Sequence, residues 1–294
     1  SATGLFPGVA YDVYVYSYNS GTCATVYNTS SPLTNTITTS GVGASLLINP
    51  YGDGGFETGT TLAANNWNVV NAATNAWTVG TIPTGFTNRS AYISNNGGAA
   101  WAFTNTSVTA SHIYKDITFP AGQSDITLSF NWKALGETSS WDAIIVYTCP
   151  TTITPVTGSP TGTGNVATWT GGSPTARGAQ LWNQGVNLQT FSACLPASFA
   201  GTTQRIVITW KNDGSGGVNP PAAVDNIALV SSVPSAPVDQ ATALNLSAIS
   251  TSQIDGSFTA ALSAPTGYVV VRYLNGSTPT PPVTGTTYVV GSVL

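Results

Sequence analysis

The stretches ITLSFNWKA (residues 126–134) and QRIVITWKN (residues 204–212) decide the fold. Both place a large apolar side chain at every second position: Leu128, Phe130 and Trp132 in the first, and Ile206, Ile208 and Trp210 in the second. Successive side chains of a β-strand point to opposite faces, so a period of two predicts strands with one buried face. Both tryptophans are therefore predicted to lie in a hydrophobic core.

Further short strands are predicted on both sides of these stretches. They are SAYIS (90–94), AWAFTN (100–105), WDAIIVYT (141–148) and LQTFSA (188–193), with SLLINP (45–50) at the start and AAVDNIALV (222–230) at the end. Short strands at such spacing suit a jelly-roll sandwich, in which the first and last strands commonly pair. The sequence therefore predicts an all-β chain with a central jelly roll over residues 44–232.

The composition agrees with many strands and turns, and it narrows the possible partners. Only 6% of the 294 residues are charged, against roughly 25% in an ordinary soluble domain, and Glu57 and Glu137 are the only glutamates. The net charge is −4 and the basic residues are scattered, which argues against binding nucleic acid or an anionic membrane surface. The sequence contains no apolar run of about 18 residues, so membrane insertion is not expected.

Residues 1–43 have the features of the second half of a smaller sandwich domain. Tyr11, Val13 and Val15 alternate with Asp12, Tyr14, Tyr16 and Tyr18, and strict alternation over eight residues predicts a half-buried strand. The order Leu5-x-Pro7, followed by Tyr11, resembles the turn into strand F of fibronectin type III domains. In such sandwich domains the tyrosine hydroxyl caps the corner.

Residues 233–294 have the features of the first half of a domain of the same type. Four short strands are predicted there: ATALNLSAIS (241–250), SQIDGSFTA (252–260), GYVVVRYL (267–274) and TTYVVG (286–291). They resemble strands A, B, C and C′ of fibronectin type III domains. The chain is then either a segment of an array in which such domains recur, or one sandwich closed by its own distant ends.

The central block resembles the jelly-roll modules called MAM or cleaved-adhesin domains in secreted proteins of the Bacteroidota. The matching pieces are GDGGFETG, Trp67, Trp77, SAYIS, YKDITFPAG, LSFNWKALGE, WDAIIVY and AVDNIAL. The cysteine framework of metazoan MAM domains is absent. Combined with fibronectin type III modules, the block is similar to repetitive surface proteins exported by the type IX secretion system, including gliding-motility adhesins and cell-surface filaments. This resemblance implies an extracellular location.

A structural calcium ion is predicted for the turn GDGGFE, which holds Asp53 and Glu57. Ca²⁺ takes about six to eight oxygen ligands from carboxylates, carbonyls and water. In similar jelly rolls the ion lies where the first strand meets the last, which would bring Asp225 close to Glu57, with Asp142 as a further candidate ligand. The alternative is that Glu57 and Asp225 only accept hydrogen bonds from loop backbone.

Eight tryptophans raise the possibility of glycan binding, because aromatic faces stack on sugars and a low charge suits a neutral glycan. Trp101, Trp141, Trp169 and Trp182 fall in or near predicted loops or strand starts. The alternative is that these rings pack in the sandwich core.

Catalysis has little support in the sequence. The only histidine, His112, lies in a predicted strand, and no GxSxG motif accompanies it. A glycosidase needs two carboxylates across a cleft, and Glu57 is already assigned to the calcium site. The cysteines Cys23, Cys149 and Cys194 form no CxxC pair, so zinc is not expected, and the last two either form a disulfide or remain thiols.

The leading functional hypothesis is a non-catalytic structural or adhesive repeat segment of a large extracellular surface protein or filament. Its expected partners are neighbouring repeats of the same protein, with self-assembly and surface glycans as further possibilities. The alternative is a carbohydrate-binding accessory module of a secreted enzyme. A third hypothesis is a secreted hydrolase whose catalytic domain lies outside this segment.

Overall fold

The computed structural model describes the chain except for residues 1–4, 8, 21–24, 31, 40–42, 139–140, 159–168, 183–186, 235, 266, 277, 279, 284–287 and 290–294. It divides into two compact units, Ser1–Val233 and Pro234–Leu294. The predicted all-β class is confirmed, because the described helical turns, Ala63–Asn65 and Ala197–Phe199, have three residues each. In the described part of the chain, no helix has the length and hydropathy to cross a bilayer.

The first unit contains fifteen strands among its described residues. They are β1 Ala10–Val15, β2 Tyr18–Ser20, β3 Thr25–Tyr27, β4 Leu33–Thr38, β5 Ala44–Ile48, β6 Asn68–Val70, β7 Ala76–Gly80, β8 Ser90–Ser94, β9 Thr109–Thr118, β10 Asp125–Lys133, β11 Ala143–Pro150, β12 Thr175–Ala176, β13 Gln189–Cys194, β14 Thr203–Asn212 and β15 Ala223–Ser232.

Two antiparallel sheets form a sandwich from β5 onward. The six-stranded sheet has the order β13-β10-β15-β8-β7, with β5 also paired to β15, and the five-stranded sheet has the order β12-β11-β14-β9-β6. The pairing of β5 with β15 confirms the prediction that the first and last strands of the block meet. The three domain ranges, 1–43, 44–232 and 233–294, remain predictions.

The core lies between these sheets and contains the residues that the alternation selected. Leu128 and Phe130 of β10 share one buried cluster with Ile206, Ile208 and Trp210 of β14. All five are at most 1% exposed. Burying this many large side chains is the main term that stabilises the sandwich.

A second apolar cluster covers the opposite face of the five-stranded sheet. Its members include Ile145, Tyr147 and Cys149 of β11, together with Trp169 from a loop. Trp169 is 3% exposed, so its candidacy for sugar stacking is wrong and the packing alternative is correct for this ring. The reason is that β11 is buried on both faces, as its continuous run of apolar residues allows.

The N-terminal strands form two small sheets, β1 with β4 and β2 with β3. The Phe6 backbone N–H donates to the Tyr11 hydroxyl at 2.9 Å, which confirms the contact expected of a tyrosine corner. Every described side chain of β1 and β4 is exposed except that of Tyr11, which is half-buried.

The second unit contains the antiparallel pair β16 (Thr242–Ala248) and β17 (Ile254–Thr259). The third predicted strand, GYVVVRYL (267–274), is not formed, although the residues are described. A strand needs a partner for its ladder, and here Val270 and Leu274 are 80% and 85% exposed. The fourth predicted strand lies mostly outside the described residues.

Candidate functional site

The turn GDGGFE packs directly against β15, as the calcium prediction required. The Ile227 backbone N–H donates to the Gly54 carbonyl oxygen at 2.8 Å. A Cβ atom at Gly54 would lie 1.9 Å from the Ile227 carbonyl oxygen. Only glycine permits this approach of two backbones.

Glu57 and Asp225 come together at this junction. Asp225 is 1% exposed; its Oδ1 accepts a hydrogen bond from the Asn226 N–H at 2.7 Å, and its Oδ2 is buried without a hydrogen-bond partner. Burial raises the pKa of Asp225 to about 7, the Asn226 hydrogen bond opposes this rise, and the charge of Glu57 adds to it. Glu57 itself accepts from the Arg89 N–H at 3.1 Å, and its Oε2 lies 3.6 Å from the Arg89 guanidinium. A buried unpaired carboxylate oxygen beside a second carboxylate fits an oxygen-liganded cation.

Asp53 occupies a different environment in the same turn. Its carboxylate lies 2.6 Å from the Lys115 ammonium and also accepts from the Asn49 N–H at 2.9 Å. The Asp53 backbone carbonyl accepts from Trp67 Nε1 at 2.9 Å. The residue therefore anchors the turn to β9 and to the core, with its charge already paired.

Asp142 joins a separate cluster with Glu137 and Asp213, two residues that the sequence analysis did not place in a metal site. One carboxylate oxygen from each lies within 4.8 Å of the others. Asp142 immediately precedes β11 and Asp213 immediately follows β14. These strands pair so that Ala143 lies opposite Lys211, which brings the two aspartates to the same edge.

The outer face of the six-stranded sheet carries a neutral cavity that the sequence analysis missed. It has a volume of about 280 Å³, and its lining includes Tyr51, Ser129, Asn131, Thr190 and Asn226. The alternation of β10 indicated that Ser129 and Asn131 face outward. No local signal predicted that Tyr51, from the loop after β5, would stand beside them.

Tyr51 provides the aromatic wall of this cavity. It is 58% exposed, and its ring makes edge contacts with Phe6 and Tyr11 at centroid distances of 6.0 and 6.4 Å. These contacts hold the ring in place while leaving much of it open to solvent.

The other candidate tryptophans divide between burial in the core and partial exposure. Trp132 and Trp210 are 6% and 0% exposed, which confirms their assignment to the core. Trp101, Trp141 and Trp182 are half-buried. Trp101 donates from Nε1 to the Pro221 carbonyl oxygen at 3.0 Å, and the Lys133 ammonium lies 5.4 Å from the centre of its ring.

His112 has a structural environment. It is fully buried, with Nδ1 at 2.8 Å from Thr209 Oγ1 and Nε2 at 3.2 Å from the Val156 carbonyl oxygen. The carbonyl can only accept, so Nε2 carries the proton and Nδ1 accepts from the threonine. Burial lowers the pKa of His112 to about 4, against a smaller opposing effect of the Val156 hydrogen bond.

Of the two alternatives for Cys149 and Cys194, a disulfide or free thiols, the structure has the free thiols. Cys149 is a buried free thiol on β11, and Cys194 is an exposed free thiol on β13 of the other sheet. Cys23 lies outside the described residues.

Comparison with known proteins gives only distant structural similarity. No family model matches the chain, and no curated protein matches it. The chain shares 12% identity with the carbohydrate-binding module TmCBM61, solved with β-1,4-galactotriose, covering 62% of this chain and 97% of that one at a TM-score of 0.34. The xylan-binding domain CBM22-1 of Paenibacillus barcinonensis Xyn10C gives 10% identity, 66% and 98% coverage, and a TM-score of 0.38.

The enzymatically active domain of tailspike protein 4 from bacteriophage CBA120 is also similar, at 13% identity and a TM-score of 0.36. The match covers 62% of this chain but 21% of the tailspike chain. Function is therefore assigned from the residues of this chain alone.

Proposed function

We propose that the β-sandwich is a non-catalytic module that binds a neutral glycan in the cavity beside Tyr51. The observation that supports this proposal is the combination of one exposed aromatic wall with a floor of hydroxyl and amide groups. Sugar hydroxyls need donors and acceptors at fixed positions, while the C–H face of a sugar ring packs on an aromatic face. None of the described residues that line the cavity is charged, which matches an uncharged ligand.

The floor of the cavity is rigid because it is part of the sheet. Ser129 and Asn131 are on β10, and Thr190 is on the neighbouring strand β13, where it pairs with Asn131. The Thr190 hydroxyl donates to the Asn131 Oδ1 at 3.3 Å, which orients the amide. The volume of about 280 Å³ is at the small end of ligand pockets, so we expect contact with a short stretch of a longer chain.

Direct binding tests this proposal. A glycan array identifies the ligand, and calorimetry then compares wild type with Tyr51→Ala, for which we expect at least a tenfold weaker affinity. Tyr14→Ala is the matched control, because Tyr14 is 54% exposed but does not line the cavity. Absence of glycan binding, or an equal loss in both variants, would refute the proposal.

We infer in addition that Ca²⁺ binds at Glu57 and Asp225. The unpaired Oδ2 of Asp225 and the neighbouring Glu57 charge support it. A cation there stabilises the ionised carboxylates that burial disfavours. The expected result is that calcium raises the melting temperature of wild type relative to chelator, and that this rise is smaller in Asp225→Asn; no shift in wild type would contradict this inference.

A second candidate function is that of a scaffold repeat in an extracellular surface array, including the type IX-exported class. It is favoured by two of the two-stranded sheets, β1–β4 and β16–β17, which present apolar side chains to solvent. In β1 and β4 the register places Tyr11, Val13, Val15, Leu33, Asn35 and Ile37 on one face and Ala10, Asp12, Tyr14, Thr34, Thr36 and Thr38 on the other, so the first face is the more apolar. Val15, Leu33 and Ile37 are 57%, 74% and 63% exposed.

The sheet of β16 and β17 has the same property, with Leu246 and Ile254 66% and 70% exposed. Isolated two-stranded sheets are marginally stable, and exposed apolar faces of this kind mark contact surfaces. We propose that a neighbouring repeat covers them. Sedimentation analysis compares wild type with Leu33→Thr/Ile37→Thr: concentration-dependent association only in wild type supports the scaffold function, and a monomer at all concentrations argues against it.

A further inference from the structure

Three carboxylates, two from the loop between β10 and β11 and one from the loop after β14, meet at one edge of the five-stranded sheet. Glu137 follows β10, Asp142 precedes β11, and Asp213 follows β14. One oxygen atom from each lies within 4.8 Å of the others. The cluster is separate in the fold from the Glu57–Asp225 junction, which lies on β15 and the turn after β5.

Two oxygens in this cluster are buried without a partner. Asp142 is 0% exposed; its Oδ1 accepts from the Asp213 N–H at 3.1 Å, whereas its Oδ2 has no hydrogen-bond partner. Oε2 of Glu137 is likewise buried without one. Unpaired carboxylate oxygens are costly in a protein interior, so the presence of two of them in one acidic cluster favours a bound cation over a solvated acidic surface.

The backbone of the loop after β14 packs closely against these carboxylates. Gly216 and Gly217 have φ values of +60° and +71°. A Cβ atom at Gly216 would lie 2.5 Å from Glu137 Oε1, and one at Gly217 would lie 2.2 Å from Asp142 Oδ2. Glycine therefore allows the backbone to lie directly on both carboxylates.

The charges around the cluster leave room for a divalent cation. Lys211 is fully buried; burial lowers its pKa to about 8, partly opposed by the charges of Asp142 and Asp213. One ammonium against three carboxylates leaves a formal charge of −2. Burial raises the pKa of Asp142 to about 7, partly opposed by the Asp213 hydrogen bond and by Lys211, with Asp213 and Glu137 adding to the rise.

We propose that Glu137, Asp142 and Asp213 form a second divalent-cation site, of the calcium type. An all-oxygen set of carboxylates selects a hard cation, and carboxylates that can bind through one or two oxygens suit the variable coordination of Ca²⁺ better than the strict octahedron of Mg²⁺. The bound ion links the loop after β10 to the loop after β14.

Calorimetric calcium titration of the chelator-treated chain tests this site. Wild type is expected to bind two ions, and Asp213→Asn is expected to lose one of them or to bind it at least tenfold more weakly. Asp213 is half-buried, so its amide variant is expected to fold; an unchanged melting curve in chelator verifies this. Glu137→Gln is a second variant with the same expected loss, should Asp213→Asn fail to fold.

Two further variants separate this site from the first one. Asp125→Asn, at an exposed position on β10, is the matched control and keeps both ions. Asp225→Asn loses only the ion at Glu57. If Asp213→Asn alone loses an ion, the cluster is a cation site and the inference at Glu57 fails; if it binds calcium as Asp125→Asn does, or if wild type binds none, the present proposal is overturned.

Discussion

Replacing Gly54 by alanine tests whether the GDGGFE turn is fixed against the last strand by backbone contact. The new Cβ would lie 1.9 Å from the Ile227 carbonyl oxygen and 2.9 Å from the Asn49 carbonyl oxygen. Both neighbours are backbone atoms, so neither can swing away as the end of a side chain can. The turn must move by more than 1 Å to reach an ordinary contact distance of about 3.4 Å.

This movement lowers the free energy of unfolding through lost hydrogen bonds and disturbed core packing. It breaks the hydrogen bonds from Ile227 N to Gly54 O and from Gly54 N to Asn49 O, both 2.8 Å, and each contributes about 1 kcal/mol. It also shifts Phe56, which is fully buried, and disturbed core packing adds roughly 1–2 kcal/mol. We therefore expect a loss of about 3–4 kcal/mol in the free energy of unfolding.

Chemical and thermal unfolding measure this loss. For a unit of this size, about 3 kcal/mol corresponds to a fall in melting temperature of roughly 6–12 °C. Gly52→Ala is the matched control, because the nearest atom to its Cβ is a side-chain atom of Asn49 at 3.5 Å, an ordinary contact. If Gly54→Ala melts within about 2 °C of Gly52→Ala, the backbone contact does not fix the turn and the reasoning fails.

Three other outcomes follow from the buried groups. His112 has a folded-state pKa of about 4, below its ordinary 6.5, so the folded state loses up to about 3 kcal/mol of stability as the pH falls from about 6.5 to 4. The difference between the pH–stability curves of wild type and His112→Gln measures this loss, and parallel curves would contradict the prediction. Asp142 and Asp225 have folded-state pKa values of about 7, above the ordinary value, so the metal-free chain should lose stability as the pH rises from about 4 to 7. Saturating calcium should remove this loss, whereas an Asp142→Asn/Asp225→Asn variant that kept it would refute the assignment. In a Cys23→Ser variant, a thiol reagent should label Cys194 rapidly and Cys149 only on unfolding, because burial raises the pKa of the Cys149 thiol to about 11. Equal labelling rates would show that Cys149 is accessible.

Local pattern was sufficient to predict the central strands β10 and β14 and the core that they form. The alternation in β10 and β14 depends only on neighbouring residues, and Trp132 and Trp210 are buried as it requires. The rule that the first and last strands of a jelly roll commonly pair predicted the pairing of β5 with β15. The resemblance to other jelly rolls placed Glu57 near Asp225, and the charge of Glu57 acts on that carboxyl, while the calcium ligands remain a prediction.

The acidic cluster could not be predicted because it depends on strand order. Asp142 and Asp213 are far apart in sequence and meet only because β11 and β14 are neighbours in the five-stranded sheet, which no local pattern specifies. The burial of Trp169 had a detectable signal, since an apolar run such as AIIVY at the start of β11 indicates a strand buried on both faces. The strand predicted at 267–274 does not form because apolar content alone is not enough: the hydrogen-bonded ladder of a sheet also requires a partner strand.

One irregularity of β15 connects the proposed calcium ion to the proposed glycan surface. Between the pairs Ser129–Ala228 and Asn131–Asp225, two residues of β15 lie opposite one residue of β10, which is a β-bulge. Asn226 lies in this bulge with φ +52° and lines the cavity, while its N–H donates to Asp225 Oδ1. A cation on Asp225 would therefore act on the same backbone that positions Asn226, so we expect stability and glycan recognition to be coupled through the bulge without the ion touching the ligand.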